Sequence, residues 1–264
     1  MHRLENINRQ SKTSKIVFFI TMLFLYSPFL ILIFLSFNES KTMNFTGFSL
    51  KWYYEFFFKS TNLWRAFGNS LLVALFSAIA STIIGTLGAI GIYWYKFKFK
   101  KYLEIVSYLP LILPEIIIGV ALLMFFSGIK FKLGLITIFI AHTTFNLPYV
   151  LFIVMARLAE FDYSIIEAAY DLGAKEVDAL MKIIIPISLP GIISGFLMAF
   201  TLSLDDFVIT FFVTGPGAST LPLHIYSMLR FGVSPVINVL SVFLIVVSII
   251  LAISSKKMYK YMFS

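Results

Sequence analysis

Cysteine is absent from this chain of 264 residues, and charged residues make up only 13% of it. Without cysteine there is no disulfide, thiolate metal site or thiol nucleophile. The three histidines fall on separate segments, and no G-x-x-x-x-G-K-[ST] phosphate loop occurs. Soluble proteins carry about 25% charged residues, so a soluble fold of this composition would expose large apolar patches. These absences argue against a soluble protein and against thiol, metal or nucleotide chemistry on this chain.

Apolar residues make up 59% of the chain and are concentrated in long runs. Runs of about twenty residues are long enough to cross a hydrocarbon core of ~30 Å. We therefore predict an all-α integral membrane protein, a single transmembrane domain over 1–264 with six transmembrane helices. The spans are expected at 16–37, 66–95, 103–127, 133–155, 190–213 and 236–254, with five of them in the core 66–254. The tails 1–15 and 255–264 and the loop 157–189 are polar.

The net charge of +8 fits basic residues that flank membrane spans better than a nucleic-acid site. With six spans, both tails, the hinge 96–101 and the loop 157–189 lie on one side of the membrane. That side carries about twice as many Lys and Arg residues as the other side, and such an excess marks cytoplasmic segments. Both termini and the long loop are therefore expected in the cytoplasm.

The polar loop 157–189 begins with the pattern of a short, capped helix. Ser164 and Glu167 have the spacing of a capping box, in which each side chain bonds the amide of the other residue. Gly173 predicts the end of the helix, because glycine readily adopts the left-handed conformation of a C-terminal cap. The pair Ala168–Ala169 leaves one face flat enough for a partner to approach. An ordinary solvated loop explains this pattern as well as a docking element does.

A second short helix is predicted from Lys175 to Lys182. Pro186 and Pro190 are expected to end it and to return the chain to the membrane, because proline lacks an amide donor. The two helices would form a compact hairpin that protrudes into the cytoplasm.

Two helix faces are predicted to pack against neighbouring helices. The span 66–95 carries small residues at intervals of three and four, which let helices approach closely in lipid. They are Ser70, Ser77, Ser81, Gly85, Gly88 and Gly91. In the span 133–155, His142 and Asn146 share a face and are expected to form interhelical hydrogen bonds.

Three carboxylates lie away from the ends of the predicted spans: Glu115, Asp205 and Asp206. A charged side chain at the centre of a membrane helix costs roughly 2.5–3.5 kcal/mol, so such residues usually face a cavity or a bundle interior. No Lys or Arg lies at comparable depth, and the carboxylates are therefore expected to line a pathway for a cation. The alternative is a carboxyl group bonded to a neighbouring hydroxyl such as that of Ser203 or Thr201.

The loop resembles the signature of ABC importer permeases: Glu-Ala-Ala, three residues, Gly, nine residues, Ile, one residue, an aliphatic residue and Pro. The matching residues are Glu167, Ala168, Ala169, Gly173, Ile183, Ile185 and Pro186; Ile185 departs mildly, since the family more often has Leu there. With six spans around it, the resemblance implies the type I permease fold with a cytoplasmic coupling-helix hairpin. The implied contacts with an ATPase subunit are Glu167, Ala168, Ala169, Asp171, Leu172, Gly173, Ala174 and Pro186.

Segments 201–215 and 221–235 look like the corresponding segments of spermidine/putrescine permeases. That resemblance implies a polyamine importer subunit that is not itself an enzyme and holds no cofactor. Its expected partners are a dimer of ATPase subunits that bind ATP and Mg, a second related permease and an extracytoplasmic substrate-binding protein. A permease for another organic cation or small metabolite is the alternative. A passive channel or a structural membrane protein is the hypothesis from a different class.

Overall fold

A computed structural model describes residues 2–41, 44–160, 162, 164–231 and 234–262. Within these residues the chain is helical apart from its connections, which include one isolated bridge between Asn38 and Phe48. The helices are α1 (His2–Ser36), α2 (Lys51–Phe58), α3 (Thr61–Trp94), α4 (Lys100–Ile112), α5 (Glu115–Gly128), α6 (Leu135–Ala159), α7 (Ser164–Asp171), α8 (Glu176–Ala179), α9 (Ile185–Asp205), α10 (Val208–Val213), α11 (Leu221–Phe231) and α12 (Val236–Met262). The prediction of an all-α protein is confirmed.

Four helical stretches of the described residues are long and apolar enough to span a membrane. They are Lys12–Ser36, Thr61–Trp94, Leu135–Ala159 and Glu176–Asp205. The helices α4 and α5 together form a fifth candidate and are bent by 109°; a break within the span 103–127 was expected from Pro110 and Pro114. Pro114 precedes α5 in an extended conformation, which prevents one helix from running through. The apolar part of α12, Val236–Ile250, is shorter, so the number of six spans stays a prediction.

The chain divides into two compact units, residues 1–61 with 225–264 and residues 62–224. In the first unit α12 packs against α1 and α2. The indole Nε1 of Trp52 donates to the carbonyl oxygen of Asn38 at 2.8 Å. Trp52 is thereby buried and anchors α2 to the end of α1.

In the unit 62–224, α3, α6 and α9 pack together through small residues. A Cβ atom on Gly85 of α3 would lie 2.9 Å from Val150 of α6, and one on Gly195 of α9 would lie 3.2 Å from the same side chain. A Cβ on Gly191 would lie 2.7 Å from Arg157. Ser70, Ser77, Ser81 and Gly85 are buried. The prediction that small residues of the second span pack on neighbouring helices is therefore confirmed for these four residues, whereas a Cβ atom on Gly91 would meet nothing within 4 Å.

The first helix of the predicted hairpin, α7, ends as the sequence indicates. Gly173 has φ +84°, its amide donates to Tyr170, and the amide of Ala174 donates to Ala169. This pair of bonds is a Schellman motif. The predicted capping box is wrong, because the amide of Ser164 donates to Oδ1 of Asp162 at 3.0 Å rather than to Glu167.

The second half of the hairpin differs from the prediction, because Pro186 and Pro190 do not end a helix. The helix α8 passes through a π turn, Leu180–Ile184, directly into α9, whose first turns contain both prolines. The amide of Ile185 donates to Leu180, five residues back. Pro186 has no amide donor, which would interrupt a regular α-helix. The π turn is wider than an α-helical turn and shifts the hydrogen-bond pattern at this position, so the helix continues.

Candidate functional site

The predicted span 190–213 is interrupted at its second aspartate. The helix α9 ends at Asp205, Asp206 is extended with φ −62° and ψ 124°, and α10 begins two residues later. The Asp206 carboxylate accepts from the amides of Ile209 at 3.2 Å and Thr210 at 2.8 Å, and from the Thr210 hydroxyl at 2.8 Å. These amides at the start of a helix have no intrahelical partner, so Asp206 caps α10.

His142 of α6 contacts the Asp206 carboxylate that caps α10, and it is 1% exposed. Its Nε2 lies 3.1 Å from Oδ2 of Asp206 and 2.9 Å from Oγ1 of Thr210. Its Nδ1 lies 2.6 Å from Oγ of Ser203, whose oxygen is 3.0 Å from Oγ of Ser77 on α3. One buried network therefore joins α3, α6, α9 and α10 at the break.

One tautomer of His142 matches the donors of this network to acceptors. In that tautomer the Nε2–H of His142 donates to Asp206, and its Nδ1 accepts from the hydroxyl of Ser203. The oxygen of Ser203 then accepts from the hydroxyl of Ser77. Each donor has an acceptor, which buried polar groups require.

His142 is the residue that the sequence reasoning missed as a partner for Asp206, because only Lys and Arg were considered. The hydroxyl that bonds Asp206 belongs to Thr210, whereas Ser203 bonds His142 and Thr201 bonds its own helix at Leu197. The prediction of interhelical hydrogen bonds from one face of α6 is confirmed. Asn146 donates to the carbonyl oxygen of Ala199 on α9 at 3.1 Å, one turn along from His142.

The other two carboxylates, Asp205 and Glu115, are exposed. Asp205 is the last residue of α9, and Glu115 is the first residue of α5. The helices α5 and α10 pack so tightly that a Cβ atom on Gly119 would lie 2.7 Å from the ring of Phe212. This packing brings Glu115 within electrostatic range of Asp205 and Asp206. The three predicted carboxylates therefore lie in one region. Asp205 and Glu115 are exposed, and Asp206 caps α10.

The hairpin presents the residues predicted to contact an ATPase. Ile166 is 2% exposed and anchors α7 in the core of the unit. Leu172, next to the turn at Gly173, is 90% exposed, the most exposed large apolar side chain among the described residues. Glu167, Ala168, Asp171, Gly173 and Pro186 are exposed, and Ala169 and Ala174 are half-buried.

A polar contact ties this hairpin to α3. The hydroxyl of Tyr95, just beyond α3, donates to Oε1 of Glu176 at the start of α8. The bond to Glu176, reinforced by burial and by the charge of the carboxylate, raises the pKa of Tyr95. At the start of the hairpin, the amide of Ser164 stabilises the ionised form of Asp162 and lowers its pKa.

Long apolar helices, a broken helix that presents carboxylates and a polar helical hairpin together define a membrane permease. Residues 81–262 match the family described as binding-protein-dependent transport system inner membrane component. The chain belongs to this family. It is therefore a multi-pass inner-membrane subunit of a transport system, and the resemblance seen in its hairpin is confirmed.

Named relatives give the same assignment. The spermidine/putrescine transport system permease protein PotC of Escherichia coli K12 is 41% identical over 234 residues, 88% of each chain. The putrescine transport system permease protein PotI of the same strain is 41% identical over 226 residues, 83% of this chain and 80% of that one.

Solved structures match the fold. A bacterial ABC transporter involved in import of the acidic polysaccharide alginate contains a chain that matches with TM-score 0.79 and 16% identity, over 100% of both chains. The MetNI methionine ABC transporter matches with TM-score 0.60 and 17% identity, over 76% of this chain and 94% of that one. The type I importer permease fold is thereby confirmed.

Proposed function

We propose that this chain is the permease subunit of an ATP-driven polyamine importer, forming half of a pathway for spermidine or putrescine. Its similarity to PotC and PotI supports this cargo, since both names specify polyamines. The observation that carries the proposal is the exposed pair Asp205 and Glu115. In the described part of the chain neither carboxylate has an ion-pair partner, so a mobile cation is the natural counter-charge.

In the proposed pathway the three carboxylates have different tasks. Asp205 and Glu115 attract the ammonium groups of the substrate, and charge and hydrogen bonds replace part of its hydration. Asp206 faces inward and holds the helix break open through His142 and Thr210. Discontinuous helices of this kind commonly form the substrate site in transporters.

Coupling is assigned to the hairpin 164–186. In this proposal it lies in the cytoplasm with both termini and docks on an ATPase dimer that binds ATP and Mg. A second permease completes the pathway, and an extracytoplasmic protein delivers the substrate. The helical stretch Glu176–Asp205 has 30 residues, about 45 Å at 1.5 Å per residue. Because it runs from the hairpin to the break, a movement imposed by the ATPase reaches the pathway through one helix.

The test is uptake of labelled putrescine and spermidine by cells that express the full importer. Asp205→Asn and Glu115→Gln should each reduce uptake at least tenfold, while the amount of assembled complex stays unchanged. Thr144→Ala, on an exposed position of α6, is the control and should transport normally. Normal uptake in the double variant would remove both carboxylates from the pathway. Uptake that persists without ATP would instead favour a passive channel.

A further inference from the structure

A cavity lies away from the helix break, between the end of α3 and the hairpin. It has a volume of about 160 Å³. Ile90 and Ile166, 6% and 2% exposed, give it an apolar floor. Tyr95, Tyr170 and Glu176 also line it and are exposed. The cavity therefore combines a buried hydrocarbon surface with an aromatic and acidic rim.

The carboxylate at this rim lacks a cationic partner among the described residues. Lys182, on the same hairpin, pairs with Asp178 at 2.7 Å. Glu176 accepts a hydrogen bond from the neutral hydroxyl of Tyr95. Trp94 is another lining residue and adds its indole ring to this rim.

These features select one chemistry. An ammonium group is attracted both to a carboxylate and to the faces of tyrosine and tryptophan rings. A methylene chain attached to it gains free energy when it leaves water for the isoleucine floor. An anion would be repelled by the carboxylate of Glu176. A purely apolar ligand would leave that carboxylate without a cationic partner.

We propose that this cavity binds a primary alkylammonium ion, with its charge on Glu176 and its chain against Ile90 and Ile166. The ion has two possible sources, a free diamine or the ethanolamine headgroup of a phospholipid. Either one would bridge α3 and the hairpin. The site is distinct from the pathway carboxylates and does not depend on the nature of the transported substrate.

The test uses the full chain, labelled with fluorotryptophan, in nanodiscs of phosphatidylglycerol. Trp94→Phe assigns the fluorine NMR resonance of Trp94, and the resonances of Trp52 and Trp64 report that each variant is folded. Titration with putrescine should shift the Trp94 resonance saturably and leave the other two unchanged. Glu176→Gln should weaken the apparent affinity about tenfold or more, since hydrogen bonds to charged groups are the strong ones.

Two control variants distinguish ligand binding in this cavity from an effect of the pathway or of the hairpin contact alone. Asp205→Asn combined with Glu115→Gln should leave the shift intact; its loss would mean that Trp94 only reports the pathway. Tyr95→Phe keeps the ring and frees the carboxylate, so it should preserve or strengthen binding. Equal loss in Tyr95→Phe and Glu176→Gln would show that only the hairpin contact matters, and would overturn the proposal.

The lipid arm identifies the source of the amine. In nanodiscs that contain phosphatidylethanolamine, a headgroup in the cavity would shift the Trp94 resonance before any diamine is added, and putrescine would compete with it. An unshifted starting resonance with normal titration would assign the site to the free diamine. No response to either amine would refute the site, whatever the uptake assays show.

Discussion

Removal of the His142 side chain tests the buried network at the helix break. In His142→Ala, Asp206 loses the bond at 3.1 Å from Nε2, and Ser203 loses the acceptor at 2.6 Å. Leaving a buried polar group without its hydrogen-bond partner costs about 1–3 kcal/mol, and more if the group is charged, and a large-to-small change at a buried site typically costs about 2–5 kcal/mol. Thr210 still bonds Asp206 and Ser77 still bonds Ser203, so the two costs add only in part. We expect a loss of about 3–5 kcal/mol in the free energy of unfolding.

The measurement is a denaturant titration of the purified chain in detergent micelles, followed by circular dichroism. The matched control is Thr144→Ala, two residues away on α6, whose exposed hydroxyl donates to the carbonyl oxygen of Ile140 in its own helix. That control should cost less than about 0.5 kcal/mol. His142→Gln retains an amide donor and acceptor and should lose about 1–2 kcal/mol.

A double-mutant cycle decides whether the histidine acts through the aspartate. If the two side chains interact as the distances indicate, His142→Ala and Asp206→Asn should show a coupling energy of about 0.5–3 kcal/mol. Strict additivity, or a cost for His142→Ala no larger than that of Thr144→Ala, would refute the reasoning.

Three further predictions concern the hairpin and the packing around the break. Leu172→Asp should leave the chain folded, because the side chain is exposed, but should release the ATPase from purified membranes; retention at the level of the unmutated chain would contradict docking through the tip. Gly119→Val should lower the midpoint of thermal unfolding, because its side chain would collide with Phe212; an unchanged midpoint would show that the ring moves aside. Glu176→Gln should lower the pKa of Tyr95 toward its usual value of 10.0, measured by tyrosinate absorbance against a Tyr95→Phe reference.

The sign of the Tyr95 effect sets its pH window. The pKa of Tyr95 is raised in the folded chain, so folding favours the protonated phenol. The stabilisation is fully present below the ordinary tyrosine pKa of 10.0 and is lost as the pH rises through the folded value. The contact between α3 and the hairpin should therefore hold at neutral pH and weaken only in strongly alkaline solution.

Some features set by neighbouring residues were predictable from the sequence, although the capping box at Ser164 was not among them. The turn at Gly173 follows from the freedom of glycine at positive φ, and the buried face of α3 follows from small residues at helical spacing. The candidate site at the helix break could not be predicted in this way, because it depends on contacts between residues far apart in the chain. Asp205 and Asp206 look equivalent in the sequence. Asp206 differs because it is buried against His142 of α6, which lies 64 residues away in the chain.

The prolines of the hairpin show the limit of a local rule. Pro186 breaks a regular α-helix because it lacks a donor and its ring meets the carbonyl four residues back. A π turn directly before Pro186 shifts the hydrogen-bond pattern and lets the helix continue. No residue type in the sequence predicts such a turn. The sequence signature in this loop identified the family correctly. Its prolines, however, led to a wrong prediction of where the helix ends.

The π turn also fixes the angular phase of the hairpin. Each residue of an α-helix advances the chain by about 100° around the axis, and a π turn carries one residue more than an α-helical turn. Deletion of one residue within Leu180–Ile184 would leave the contacts of α9 with α6 in place and swing the hairpin by about a quarter turn. The direction in which Leu172 points therefore depends on the number of residues in the π turn. If the hairpin docks on an ATPase as proposed, a single-residue deletion would uncouple the ATPase from a pathway that is otherwise intact.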